Sequence, residues 1–198
     1  FTTNQWPEVT FTIPMIGTYN VNNALAALSV AMLYRIRPES AKQALATVSL
    51  TENRAEWVTS ASGAAILSDV YNSNPTAAKE VLTAFSQTPV TGQRYVVLGD
   101  MLELGDQADA MHASLASAID ATKIDHVYLV GPHMLALQAA LAQQQPQLAV
   151  SHYETTDLAT LTVDLQNQLT ADDQILLKGS HGIHLEQVLA SLQDSSEN

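Results

Sequence analysis

From residue 56 onward the chain alternates short apolar runs with amphipathic segments, and the runs YVVL (95–98), VYLV (127–130) and ILL (175–177) are apolar at successive positions rather than at every second one. A strand that is apolar on both faces has to be covered on both faces, which a mostly parallel sheet between two helical layers provides. The spacing predicts strands at Glu56–Thr59, Ala64–Val70, Arg94–Leu98, His126–Val130, Ala149–Tyr153 and Gln174–Leu177. Helices are expected between them at about 75–87, 107–121, 133–143, 156–169 and 183–193. The implied fold class is α/β, a Rossmann-like three-layer domain with a mostly parallel six-stranded sheet.

The first 55 residues read differently. VTFTI (9–13) alternates as a half-buried strand and stops at Pro14, after which Val21, Leu25, Leu28 and Met32 fall at helical spacing. A second helix opens at Pro38-Glu39-Ser40 and carries Ala41, Ala44, Leu45 and Val48. This segment reads as a helical tail of another domain, the start FTTNQW as the start of an excised or processed chain, and the end DSSEN as frayed.

Composition narrows the function. With no cysteine there is no disulfide or thiolate metal site, in keeping with a reducing compartment. No apolar run nears the roughly 20 residues of a membrane span, and no signal peptide precedes the first strand. Eight Lys and Arg against 20 Asp and Glu give a net charge of −12, which disfavours nucleic acid and anionic membranes as partners. A phosphate-bearing ligand would then need locally placed cations, which singles out Arg54, Lys79, Arg94 and Lys178.

Several motifs sit where predicted strands hand over to helices. In LSDVYNSNPTAAKEVL (67–82), Pro75 suits the first helical position and Asn74 the cap, so Asp69 to Asn74 form a polar rim at the edge where open α/β sheets bind ligands. A capped, solvated turn accounts for the same residues. Asn20 and Asn23 lie three apart at a helix start, where a cap and a contact to a purine edge are both open. Arg54, between the helical region and the first strand of the α/β part, is a phosphate clamp or a surface charge. VVLGDMLELG (96–105) places Asp100 at the same rim as Asp69.

Asp106, Asp109 and His112 share metal-like spacing on one helix face, which a solvated face explains better without further ligands. ILLKGSHGIHLE (175–186) ends the last strand in Lys178-Gly179-Ser180, a turn suited to an anion, while His181 and His184 lack a third metal ligand. No G-x-x-x-x-G-K-[ST] occurs and no G-x-G-x-x-G follows a strand, so a phosphate cradle for ATP would have to lie elsewhere.

The stretches GTYNVNNALAA (17–27), NRAEW (53–57), SDVYNSNPTA (68–77), LGDMLELG with His112 seven residues after its last Gly, and LLKGSHGIHLE (176–186) resemble the Mur ligase family. The resemblance is narrowest to the branch that adds D-Ala-D-Ala to a UDP-MurNAc-tripeptide. It implies residues 1–55 as the end of a central ATPase domain and 56–198 as a C-terminal Rossmann-like domain. The implied enzyme is cytoplasmic and monomeric and binds neither nucleic acid nor membrane. It uses ATP and Mg2+, with the metal ligands in the central domain, and forms an amide through an acyl phosphate.

Residue by residue, the resemblance puts Asn20 and Asn23 on the adenine side, Arg54 on the nucleotide phosphates and Asp69 on the ribose. It puts Tyr71, Asn72, Asn74, Lys178 and Ser180 near the incoming amino component, with no catalytic residue in this chain, which alone should be inactive. Tyr19 stands where the family usually has His, and His181 where it usually has Arg. Two alternatives stay open: a sibling ligase resembling folylpolyglutamate synthase, and a non-catalytic nucleotide-binding module.

Overall fold

A computed structural model describes residue 6, residues 8–48 and residues 54–194. Contacts divide the chain into two compact units, Phe1–Thr51 and Glu52–Asn198. The expected boundary lies at 55/56, and residues 49–53, including Asn53 of the NRAEW stretch, lie outside the described residues. So do residues 1–5 and 195–198, which hold most of the FTTNQW and DSSEN segments.

The first unit contains α1 (Thr18–Leu33) and α2 (Pro38–Ala46), both where the apolar spacing predicts them. Their seam buries Leu28 and Ala41 with Trp6, and Phe11, Leu25, Met32 and Leu45 pack against it. The strand expected at Val9–Ile13 does not form. A strand needs a ladder partner, and among the described residues none pairs with this segment; it lies instead along a groove of about 440 Å³ with Val21, Leu25 and Leu28 of α1.

The second unit is the three-layer α/β domain. Its strands are β1 (Glu56–Thr59), β2 (Ala65–Asp69), β3 (Arg94–Gly99), β4 (His126–Val130), β5 (Ala149–Tyr153) and β6 (Gln174–Lys178). They are ordered β1-β2-β6-β3-β4-β5, and all neighbours run parallel except β1 with β2. Helices α3 (Pro75–Phe85), α4 (Ala108–Ala113), α5 (Met134–Gln144), α6 (Leu158–Gln168) and α7 (Leu185–Gln193) follow the strands in turn. The helix expected at 107–121 is broken: 3₁₀ turns at Gly105–Gln107 and Ser114–Ala118 flank the short α4.

Strand alternation splits the core in two. Tyr95, Val97, Tyr128, Val130, Ile175 and Leu177 face α6 and α7, meeting Leu161, Leu165, Val188 and Leu192. Val96, Leu98, Val127, Leu129 and Leu176 point the other way and are also fully buried, as are Leu82 and Phe85 of α3 and Leu137 and Leu141 of α5. The loops after β2 and β3 lead to the second of these faces, whereas the loop after β6, inserted between those strands, leads to α7 on the first. Such a reversal opens a crevice at the carboxyl ends of the strands. Leu177→Ala, at a fully buried position in the core under α6 and α7, should lower stability by about 2–5 kcal/mol, read as a shift of the urea midpoint with an unchanged slope.

Candidate functional site

The crevice is a cleft of about 420 Å³ lined by Tyr71 and Asn72 after β2, Leu102 and Glu103 after β3, and Ser180, His181 and Gly182 after β6. Strand register sets a charged pair at the root of two of these loops. Asp69 and Lys178 are paired positions at the ends of β2 and β6, and the Lys178 ammonium donates to Asp69 Oδ2 at 2.7 Å and to the Asn72 carbonyl at 2.9 Å. The lysine side chain is only 2% exposed and the aspartate 17%. The other oxygen of Asp69, Oδ1, accepts the Ala55 N–H at 3.2 Å. Beside it the Arg54 guanidinium lies over the Tyr71 ring, 4.2 Å from its centroid, a cation–π contact that leaves the N–H edge of the guanidinium available to an anion.

The other expected residues serve the backbone. Asn74 caps α3 as its sequence position predicts, its Oδ1 accepting the Ala77 N–H at 2.9 Å. Asn72 Oδ1 accepts the Ser73 N–H at 2.8 Å. Ser180 is buried; its N–H donates to the Asp100 carbonyl at 3.1 Å and its hydroxyl accepts the Leu102 N–H at 2.9 Å. The turn after β6 therefore fastens the loop after β3. In the first unit Asn20 is not the cap of α1, a position held by Gly17 at φ 87°. Buried within the first turn, it donates to the Ile16 carbonyl at 2.8 Å, and the exposed Asn23 donates to Asn20 Oδ1 at 3.5 Å.

Two groups that hold the loop Asp100–Gly105 have roles the sequence does not reveal. Asp100 stands at the rim as expected but is 2% exposed, accepting the N–H groups of His133 at 3.3 Å and Met134 at 3.0 Å and so capping α5 from another strand. Burial pushes its carboxyl above the usual carboxylate range, opposed by those N–H groups and the neighbouring His133 imidazole. Gly131, at φ 109°, is required there, since a Cβ would sit 2.5 Å from the Asp100 carboxyl carbon. His112, expected on a solvated face with Asp106 and Asp109, is instead fully buried beneath the loop and stacked on His133 at 5.5 Å between ring centroids. The kinked helix turns it inward, and Asp109 pairs with His133 Nδ1 at 2.7 Å. Among the described residues no three His, Asp or Glu side chains form a metal-binding group.

Arg94 lies at the opposite end of the sheet. Its guanidinium donates to the Lys123 carbonyl at 2.7 Å and to the Thr88 carbonyl, so it braces the bottom of β3 and takes no part in the cleft.

Comparison with known proteins places the chain in a family. Residues 53–181 match the family model described as Mur ligase, glutamate ligase domain. The chain is 34% identical over 188 residues to the UDP-N-acetylmuramoyl-tripeptide–D-alanyl-D-alanine ligase of Bacillus subtilis, covering 95% of this chain and 41% of that one. The structure resembles MurF from Acinetobacter baumannii at a TM-score of 0.80 and 25% identity, covering 96% of this chain and 41% of the other. It resembles MurF ligase from Thermotoga maritima, determined in complex with ADP, at 0.74 and 21%, covering 90% and 39%. The chain thus spans about two fifths of the length of these relatives.

Two measurements test the site's electrostatics. Lys178→Met strands a mostly buried Asp69 carboxylate and the Asn72 carbonyl; it should lower stability by about 2–4 kcal/mol, seen in urea denaturation. The Asp109 carboxylate, through its hydrogen bond, raises the pKa of His133 above the ordinary imidazole value. A group held protonated in the folded state adds stability below its unfolded pKa and loses it as pH rises through the raised folded value. Stability should therefore decline from about pH 6.5 upward. In Asp109→Asn the His133 ring proton resonance should titrate at lower pH and that decline should shrink.

Proposed function

The chain belongs to the Mur ligase family, and from that premise we propose that it is the C-terminal part of an ATP-dependent ligase that adds D-Ala-D-Ala to UDP-MurNAc-tripeptide in cytoplasmic peptidoglycan precursor synthesis. The observation that carries this reading is the 34% identity, along 95% of the chain, to a ligase of that specificity. The position of the cleft at the reversal of strand connections supports it.

In this reading ATP phosphorylates the terminal carboxylate of the tripeptide. The D-Ala-D-Ala amine attacks the acyl carbon, and phosphate leaves. The ADP held by the Thermotoga maritima relative supports the nucleotide assignment. Residues 1–55 belong to the end of the ATPase domain and 56–198 form the C-terminal domain, the whole enzyme acting as a monomer.

Asn20 and Asn23 meet the adenine, with Asn20 held in place through Ile16. Arg54, propped on Tyr71, meets the nucleotide phosphates. Asp69 meets the ribose, since a carboxylate offers about four acceptor sites and two of those on Asp69 are taken, by Lys178 and the Ala55 N–H. Tyr71 and Asn72 line the cleft for the dipeptide. Asn74, Lys178 and Ser180 act there by fixing its walls. These residues contribute positioning and charge placement, with the Mg2+ ligands in the central domain.

The full-length protein, given ATP, Mg2+, UDP-MurNAc-tripeptide and D-Ala-D-Ala, should release phosphate and form the pentapeptide only when both peptide substrates are present. The 198-residue chain alone should form none. Ligation of glutamate to a folate in place of this reaction would establish the sibling-ligase reading, and nucleotide binding without ligation the non-catalytic one.

A further inference from the structure

We infer that His112 is a positioning residue for the dipeptide cleft, an assignment that rests on the ligase reading. The imidazole is 0% exposed and reaches no cleft surface itself. Its Nε2 accepts the Met101 N–H at 2.8 Å and its Nδ1–H donates to the Ala108 carbonyl at 2.7 Å. An N–H can only donate and a carbonyl only accept, so these partners fix the neutral ring with its proton on Nδ1. The ring thus bridges both ends of the loop from Met101 to Ala108, whose Leu102 and Glu103 form one wall of the cleft.

That wall does not hold itself. Glu103 sits at φ 65° without being glycine, a conformation that persists only when its surroundings impose it. Leu102 is 42% exposed, presenting an aliphatic side chain to the cleft, and a Cβ on Gly182 would lie 2.8 Å from its Cδ1, so the leucine closes against the opposite wall. Two fasteners set this pose: Ser180 Oγ on the Leu102 N–H and His112 Nε2 on the Met101 N–H. An apolar surface held this way beside Tyr71 suits the methyl groups of an alanyl dipeptide, and releasing Met101 lets it drift.

Two variants of the full-length protein separate positioning from bulk stability. His112→Asn places an amide where Nδ1 stood, keeping the Ala108 bond and losing the Met101 bond, whereas the longer amide of His112→Gln reaches the Nε2 position and restores an acceptor for Met101. The Asn variant should raise the KM for D-Ala-D-Ala about tenfold, since misplacement of a site wall by about 1 Å can cost up to about 100-fold. Its KM for ATP should stay within about twofold, and the Gln variant should recover most of the loss. Amide hydrogen exchange at Met101 and Leu102 should quicken in the Asn variant and slow again in the Gln variant, a readout that needs no turnover. Exchange unchanged in the Asn variant, or equal rises in both KM values that track lost thermal stability, would overturn the inference. A wild-type enzyme that does not use D-Ala-D-Ala would instead overturn the ligase reading and leave the exchange result to decide the role of His112 in holding the loop.

Discussion

The contact on which the site depends is the ammonium of Lys178, enclosed between the Asp69 carboxylate and the Asn72 carbonyl. Both charges stand at the ends of adjacent parallel strands, in register, so one interaction fixes the height of β6 against β2 and the exit direction of the turn that follows β2. Removing charges from water is unfavourable, and a buried pair persists where the remaining lone pairs and protons are also satisfied. Here each charge has a second partner: Ala55 donates to the other carboxylate oxygen and Asn72 accepts a second proton of the ammonium. With β6 held in place, Ser180 comes within reach of the loop after β3, and the walls of the cleft derive from that one register.

Polar groups within the sheet edges follow the same logic, each tied to backbone that would otherwise lack a partner. Asp100 caps α5 across a strand boundary and His112 closes the loop beside it. At the opposite edge Asp173 accepts N–H groups from Gln93 and Thr170, both at 2.7 Å, and Arg94 binds carbonyls of two loops. A buried donor or acceptor without a partner costs about 1–3 kcal/mol, so these side chains define loop conformations that apolar packing alone would leave free. The edge that carries the cleft and the edge that does not are built by one device. What separates them is the reversal of strand connections around β6.

Much of this was legible in the sequence. Six strands and the order of their helices follow from runs such as VYLV and ILL alternating with amphipathic segments, because a strand buried on both faces needs a helical layer on each side. Asn74 reads as a cap because Pro75 admits a helix start there. Other features depend on what lies far away in the chain. The segment Val9–Ile13 alternates like a strand, yet alternation records a half-buried extended segment and says nothing of whether a ladder partner exists. The register that joins Asp69 to Lys178 spans 109 residues and has no local signal. His112 looked solvated because helical spacing assumed one continuous helix, and the 3₁₀ turns around α4 rotate it inward.

The placement of positive charge then bears on what the second unit can supply to the proposed reaction. Of the four cations first singled out in the second unit, Arg94 is committed to carbonyls at the far edge and Lys178 to Asp69. Lys79 lies within α3, a full turn beyond the capped N-terminus. Arg54, supported on an aromatic ring at the cleft edge, makes no ion pair among the described residues. A single guanidinium cannot balance a triphosphate in a chain of net charge −12. In the proposed reaction this domain therefore contributes shape and orientation, and the larger share of phosphate neutralisation falls to the central domain.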